Sequence, residues 1–207
     1  MKEVEIIPLF ATPIYVFKDD TNITFEKELE FIKKLDYRYS SEFVNFSVDS
    51  HLLECKEMER CKKIIEEHLK IYTTEVLSIK QEFYVTNCWI AKSSPGQRHK
   101  KHYHPNSIIS GILYLNADEN HSTLDFHKQS ALRDGFNFTY DIKDFNVFNA
   151  NDWSVKVKTG DVVIFPSNVI HGVDANCATT DRVLLGFNTF IKGTFGDGGY
   201  GADLTLT

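Results

Sequence analysis

Three histidines in this chain stand at spacings that suit metal chemistry. His102 and His104 form an i, i+2 pair. Alternate side chains of an extended strand share one face, so both imidazoles can reach a single ion. His171 follows the apolar run Val162-Val163-Ile164-Phe165-Pro166-Ser167, which reads as a strand ending in a loop. If the two strands face each other, three ring nitrogens converge on one side of a metal. A single histidine near a strand end is more often a surface or hydrogen-bonding group, so the pair and its surroundings carry the metal reading. His99, His121 and His127 lack such surroundings and read as non-ligands. Cys55, Cys61, Cys88 and Cys177 form no CxxC pair and read as reduced thiols rather than as a zinc site.

The elements that must position these groups change period along the chain. Val4–Phe10 and Pro13–Phe17 read as short strands. Thr24 is placed to cap a helix in which Phe25, Leu29, Ile32 and Leu35 recur at helical spacing. A polar connection over Tyr37–Ser50 leads to a longer amphipathic helix from Lys56 to Leu77, with Met58, Cys61, Ile65, Leu69, Tyr72 and Val76 as its apolar stripe. From Gln81 onward the period is that of strands. Strand-like runs follow at Ser107–Leu115, Ser122–His127, Phe136–Ile142, Trp153–Val157, Val162–Phe165 and Arg182–Ile191, separated by turn chemistry such as Ser94-Pro95-Gly96 and Thr159-Gly160-Asp161. The tail 193–207 reads as loose or as an edge strand. This order predicts an α+β, mainly β domain: a double-stranded β-helix (jelly roll, cupin-like) with the N-terminal helices packed outside the sheets. One domain over 1–207 is expected, with supporting strands and helices at 1–79, the jelly-roll core at 80–192 and a Gly-rich tail at 193–207.

Composition narrows the classes further. A chain of 207 residues with a formal charge of −6 is a poor partner for nucleic acid, whose binding needs clustered Lys and Arg. The local patch Arg98-His99-Lys100-Lys101-His102 suits a carboxylate ligand as well as a phosphate. No apolar run is long enough to span a bilayer, and no signal-peptide layout opens the chain. A soluble cytoplasmic protein is the expectation, with homodimerisation through a sheet edge or the helices left open.

The segment Trp89…Pro95-Gly96…His102-Tyr103-His104-Pro105…Ser110-Gly111-Ile112-Leu113-Tyr114 resembles the first half of a 2-oxoglutarate/Fe(II)-dependent oxygenase core. Thr159-Gly160-Asp161…His171-Gly172-Val173, followed by Arg182 and Asn188, resembles the second half. The match is to a bacterial and phage group with an HxHP…SGxxY signature, related to prolyl hydroxylases, and Ile7-Pro8-Leu9-Phe10-Ala11-Thr12-Pro13 is similar to that group's start. The specific motifs lie within residues 87–190.

The resemblance implies Fe(II), 2-oxoglutarate and O2 as cofactor and co-substrates. It makes His102 and His171 metal ligands. Arg182 would pair with the distal carboxylate of 2-oxoglutarate, a task that suits a planar two-pronged donor. Tyr114 would hydrogen-bond the same group, and Ser110 and Asn188 are candidates for contact with the co-substrate. His104 stands where a carboxylate is usual. It is expected as the third ligand, against a water or a distant Asp125 or Asp161. The implied reaction is hydroxylation of a protein side chain, amino acid or small molecule, with release of succinate and CO2. Two rivals stand beside it: a three-histidine cupin enzyme that does not use 2-oxoglutarate, and a jelly-roll binding module that is no enzyme. The aromatic segment 129–150 is a candidate lid or a plain hairpin.

Overall fold

The computed structural model describes residues 5–128, 141–196 and 201–206. It bears out the mainly-β reading, with two antiparallel sheets and helices on one outer face. The first strand, β1, is Tyr15–Phe17, and helix α1 is Glu26–Ile32. Strands β2 (Tyr37–Arg38) and β3 (Asn45–Ser47) precede helix α2 (Glu59–Ile71), which single helical turns introduce and the π-helical segment Tyr72–Val76 extends. Among the described residues nine strands follow: β4 Glu82–Ser93, β5 His99–His102, β6 Ile109–Asn116, β7 Leu124–His127, β8 Asp152–Val155, β9 Val162–Pro166, β10 Ile170–Val173, β11 Arg182–Phe195 and β12 Leu204–Leu206.

The large sheet runs β1-β9-β6-β11-β4-β3-β2, with β12 paired to β11; the small sheet runs β5-β10-β7-β8. Alternation along the central strands decides which side chains see the site. Ser110, Ile112 and Tyr114 of β6 share one face, as do Val163 and Phe165 of β9 and Arg182, Leu184, Gly186 and Asn188 of β11. Ile112, Tyr114, Val163 and Phe165 of this set pack with Leu124, Phe126 and Val173 of the small sheet, forming the core between the sheets. The opposite face buries Ile109, Leu113, Ile164, Leu185 and Phe187 against the helices. On α2 the stripe Met58, Cys61, Ile65, Leu69, Tyr72 is nearly inaccessible, and buried His68 ties the helix to β1 through the Tyr15 hydroxyl at 2.8 Å.

Several local expectations are corrected. Residues 5–10 form no strand, and Phe10 is 98% exposed; the pairing partner of this end of the chain, β9, is taken up by β1. Thr24 does not cap α1, because Phe25 occupies the N-cap without a side-chain bond; the Thr24 carbonyl instead accepts from Arg60 Nη2 at 2.6 Å. The polar stretch 37–50 is not a plain connection. It supplies β2 and β3, which extend the large sheet beyond β4. Val76 leaves the apolar stripe and is exposed. Of the run Phe136–Ile142, residues 136–140 lie outside the described residues, and Asp141 and Ile142 form no strand. Of the tail, Leu204–Leu206 form an edge strand, with Thr205 opposite Thr194, while 197–200 and 207 lie outside the described residues.

Candidate metal centre

The site is built on the pairing of β5 with β10. His102 is the cross-strand partner of His171, and His99 is the partner of Val173. Two steps along β10 therefore match three along β5, which is a bulge with one extra residue on β5. Gly172 makes room for it: a Cβ there would sit 3.1 Å from the His99 carbonyl oxygen and 3.3 Å from Lys101 Cα and N. In a regular strand residues three apart point to opposite faces. The bulge turns both His99 and His102 inward, with ring centroids 4.0 Å apart. The pair does not lie within one strand, because β5 ends at His102. His104 lies in the loop after β5, where its backbone N–H donates to the Ser167 carbonyl at 2.9 Å.

The three expected histidines come together. Their ring centroids are 4.3 Å apart for His102–His171, 4.9 Å for His104–His171 and 5.2 Å for His102–His104. One nitrogen from each lies within 4.8 Å of the other two, and among the described residues no carboxylate or thiol joins them. Each Nδ1 meets an oxygen: His102 with the Lys100 carbonyl at 2.7 Å, His171 with the Val169 carbonyl at 3.0 Å, and His104 with Asn188 Oδ1 at 2.7 Å. Carbonyl oxygens only accept, so each ring carries its proton on Nδ1 and turns the Nε2 lone pair to the common centre. Burial first, and then the mutual proximity of the rings, holds His171 down to about 3; burial takes His104 to about 4 and also lowers His102. All three are therefore neutral at pH 7. His104 Nε2 and His102 Nε2 lie 3.2 Å apart. Two lone pairs at that distance repel, and a cation between them removes the repulsion, so the donor set fits a metal ion.

The alternative carboxylates are committed elsewhere. Asp161, fully buried, accepts from Lys18 Nζ at 2.8 Å and from the backbone N–H groups of Asp19 and Lys158 at 3.0 Å each. Asp125 accepts from the Thr123 hydroxyl at 2.8 Å. His121 meets Asp118 and His127 meets Asp152, away from the three rings.

Arg182 is 2% exposed, and its guanidinium lies over the fully buried Tyr114 ring, with Nη2 donating to the phenol oxygen at 3.1 Å. Among the described residues its Nε is buried without a partner. The neighbouring Asp181 turns instead to Lys92 at 2.8 Å. A buried guanidinium lacking an anion is costly, and this one has a donor free for a carboxylate. Ser110 and Asn188, expected at the co-substrate, are engaged elsewhere. Ser110 Oγ donates to Asn188 Oδ1 at 2.7 Å, and both meet His104 Nδ1. Asn188 is also six residues from Arg182 on the same strand, roughly 20 Å at strand rise.

A cleft of about 480 Å³ opens on His102 and His104, lined among others by Phe46, Trp89, His99 and Tyr103. Trp89 forms part of its wall, 5.6 Å from the His104 ring. Its indole lies across Gly186, where a Cβ would come within 2.9 Å. Arg182 and Tyr114 are deeper, between the sheets. His99 is the inward residue that sequence reasoning set aside. Burial above all, with smaller contributions from the three histidines and Arg182, pushes it down to about 3.

Comparison with known proteins agrees with this geometry. Residues 87–188 match the family model described as "Putative 2OG-Fe(II) oxygenase". No curated protein matches the chain. Among solved structures, a 2OG-Fe(II) oxygenase family oxidoreductase from Burkholderia pseudomallei superposes with a TM-score of 0.59 at 11% identity, covering 85% of this chain and 83% of that one. HygX from Streptomyces hygroscopicus, with nickel, 2-oxoglutarate and hygromycin B bound, gives 0.58 at 13%, covering 86% and 82%. A prolyl-4-hydroxylase from Pseudomonas putida gives 0.54 at 16%, covering 86% and 92%. At these identities the structures establish the shared jelly-roll fold, and it is the family match that speaks to chemistry. The stretch 87–188, which holds all three histidines, Arg182 and Tyr114, is thus similar to the 2OG-Fe(II) oxygenases.

Proposed function

We propose that the protein is a 2-oxoglutarate-dependent hydroxylase of one domain in which His102, His104 and His171 hold Fe(II). Arg182, steadied by Tyr114, binds the distal carboxylate of 2-oxoglutarate. Convergence of three histidine nitrogens, in a fold that also buries a guanidinium whose Nε has no partner among the described residues, is the observation that carries the reading. Ser110 and Asn188 act one step back: they fix the His104 tautomer, and so its lone pair, through Nδ1. When bound, Fe(II) and 2-oxoglutarate supply the activation of O2, with succinate and CO2 as by-products. The chain's own part is to orient both, and to keep water out with the apolar wall of Phe126, Phe165 and Val163. The cleft beside Trp89 and Tyr103 is the substrate side, sized for an amino acid, a peptide side chain or a small molecule.

The all-histidine donor set is one charge more positive than a set with a carboxylate, which a three-histidine cupin enzyme without 2-oxoglutarate would share. Arg182 separates the two readings, because such an enzyme has no use for a buried anchor. Anaerobic protein with Fe(II) and 2-oxoglutarate is expected to develop a weak visible charge-transfer band. His171→Ala should lose it, and Arg182→Ala should need more 2-oxoglutarate to reach it. Absence of both the band and stoichiometric iron in the wild type sinks the oxygenase reading; O2 uptake with iron alone selects the cupin rival.

A further inference from the structure

The cleft beside His102 and His104 owes its outer wall to β2 and β3, which carry the large sheet past β4. Residues directly opposite on antiparallel strands point to one face. Arg38 pairs with Phe46, Phe46 with Ala91, and Ala91 with Leu184. Leu184 shares its face of β11 with Gly186 and Asn188, so Arg38 stands on the site side of the sheet. Among the described residues the lining of the cleft holds no aspartate or glutamate, and Arg38 is its one arginine or lysine. In a chain with a formal charge of −6, this wall is opposite in sign to the protein as a whole. Arg98 and Lys92 pair with Glu42 and Asp181, whereas exposed Arg38 has no acidic partner among the described residues. The rest of the polar lining favours donors. Asn188 spends Oδ1 on Ser110 and His104, and Asn87 spends Oδ1 on the Thr86 hydroxyl at 3.2 Å. Those contacts leave the Nδ2 hydrogens of both amides, and the indole of Trp89 can only donate.

We propose that the substrate is a small carboxylic acid, its anionic end held by Arg38 and its apolar body laid along Phe46 and Trp89. The inference rests on the oxygenase reading above and names the substrate class for that site. A planar guanidinium meets a carboxylate through two parallel hydrogen bonds. One positive charge balances one carboxylate, whereas a phosphate group carries more charge than a single cation offsets. A cationic substrate would meet repulsion from Arg38 and find no acid to receive it. The half-buried rings of Phe46 and Trp89 supply flat apolar contact between the two ends. Arg38 lies three strands out from β11, the strand that carries Asn188, the partner of His104. An acid gripped there leaves the far end of the molecule at the histidines. This carboxylate is distinct from those of 2-oxoglutarate, because the proposed anchor Arg182 is buried and does not line the cleft.

The test uses three ligands of similar shape and different charge: phenylpropanoate, its neutral amide phenylpropanamide, and the cation phenylpropylamine. Full-length protein is saturated with Mn(II) and 2-oxoglutarate, so that Arg182 is occupied, and the affinity for each ligand is measured by calorimetry. Phenylpropanoate is expected to bind about fivefold or more tighter than the amide, with the amine weakest. Arg38→Gln should bring acid and amide within about twofold of each other. Arg38→Lys should keep part of the preference, and Arg38→Glu should favour the amine over the acid. Arg38 is exposed on an edge strand, so these changes leave the core untouched. Equal affinity of the wild type for acid and amide, an acid preference that survives in R38Q, or no binding of the acid below about 10 mM overturns the substrate assignment alone. Competition between phenylpropanoate and 2-oxoglutarate overturns it too, because the acid then sits at Arg182. A wild-type protein that binds Mn(II) but no 2-oxoglutarate overturns the oxygenase reading and the substrate assignment with it.

Discussion

His104 Nδ1 lies 2.7 Å from Asn188 Oδ1, although the two residues are 84 positions apart in the chain. The contact joins the loop after β5 to the middle of β11 and makes the tautomer of His104 a property of the large sheet. Ser110 completes it from β6, donating to the same oxygen.

Asn188→Leu removes that acceptor while keeping the side chain's approximate size. The His104 ring is then free to carry its proton on Nε2, where it blocks the lone pair that should face the metal. Metal affinity is expected to fall about 10- to 100-fold, as is usual when the partner of a ligating histidine is lost. Asn188→Asp retains an acceptor and should lose much less. Titration of apoprotein with Mn(II) reads both, and equal affinity of N188L and wild type would show that Asn188 does not set the ring.

Arg182 and Tyr114 form a pair whose members differ in weight. Arg182→Lys keeps the charge but loses the planar fork and the donor at Nε, and is expected to weaken 2-oxoglutarate binding by about 10-fold or more. Tyr114→Phe removes only the oxygen that receives Arg182 Nη2, a loss of about 0.5–1.5 kcal/mol. Binding curves on metal-loaded protein should therefore rank wild type, Y114F, then R182K. The reverse ranking would make the phenol, not the guanidinium, the anchor.

Much of this site was legible from types and spacing, and the exceptions have identifiable causes. His102, His104 and His171 were found because their alternation and motifs survive in the linear order. Arg182 was placed correctly on β11, since a strand start eleven positions after His171 needs no tertiary information. His99 was not legible. It is separated from His102 by three, which in a regular strand means the opposite face, and a bulge is a feature of two strands rather than one. Ser110 and Asn188 were legible as polar inward residues but their bonds to His104 were not, because alternation gives the face and not the neighbour. Strands β2 and β3 escaped notice for a related reason: their residues are polar and short in run, and only pairing against β4 makes them extended.

Acid should destabilise the apoprotein in a window set by the buried rings. His99, His102, His104 and His171 are all held below the ordinary histidine value, with burial the leading cause. The unfolded chain therefore binds more protons than the folded one once the pH falls below about 6.5. Stability is fully present above that pH and declines on acidification toward the folded values of about 3 to 4. Urea midpoints of metal-free protein should fall between pH 7 and pH 4, and His104→Gln should flatten the slope. A midpoint independent of pH over that range would mean that the rings are solvated rather than enclosed.

Gly172→Ala tests the bulge itself. The new methyl would sit 3.1 Å from the His99 carbonyl oxygen and 3.3 Å from Lys101 Cα, closer than ordinary contact, against backbone on a neighbouring strand. Either β5 moves away or the bulge flattens, and both change the direction of His99 and His102 relative to His171. Overpacking of this kind costs about 1–3 kcal/mol, so the unfolding midpoint should drop. Metal affinity should drop with it, because the spacing of His102 and His171 depends on their pairing across this step. The measurement that decides is the Mn(II) titration at a temperature where G172A is fully folded: wild-type affinity there would mean that the bulge shapes the strand without aiming the ligands.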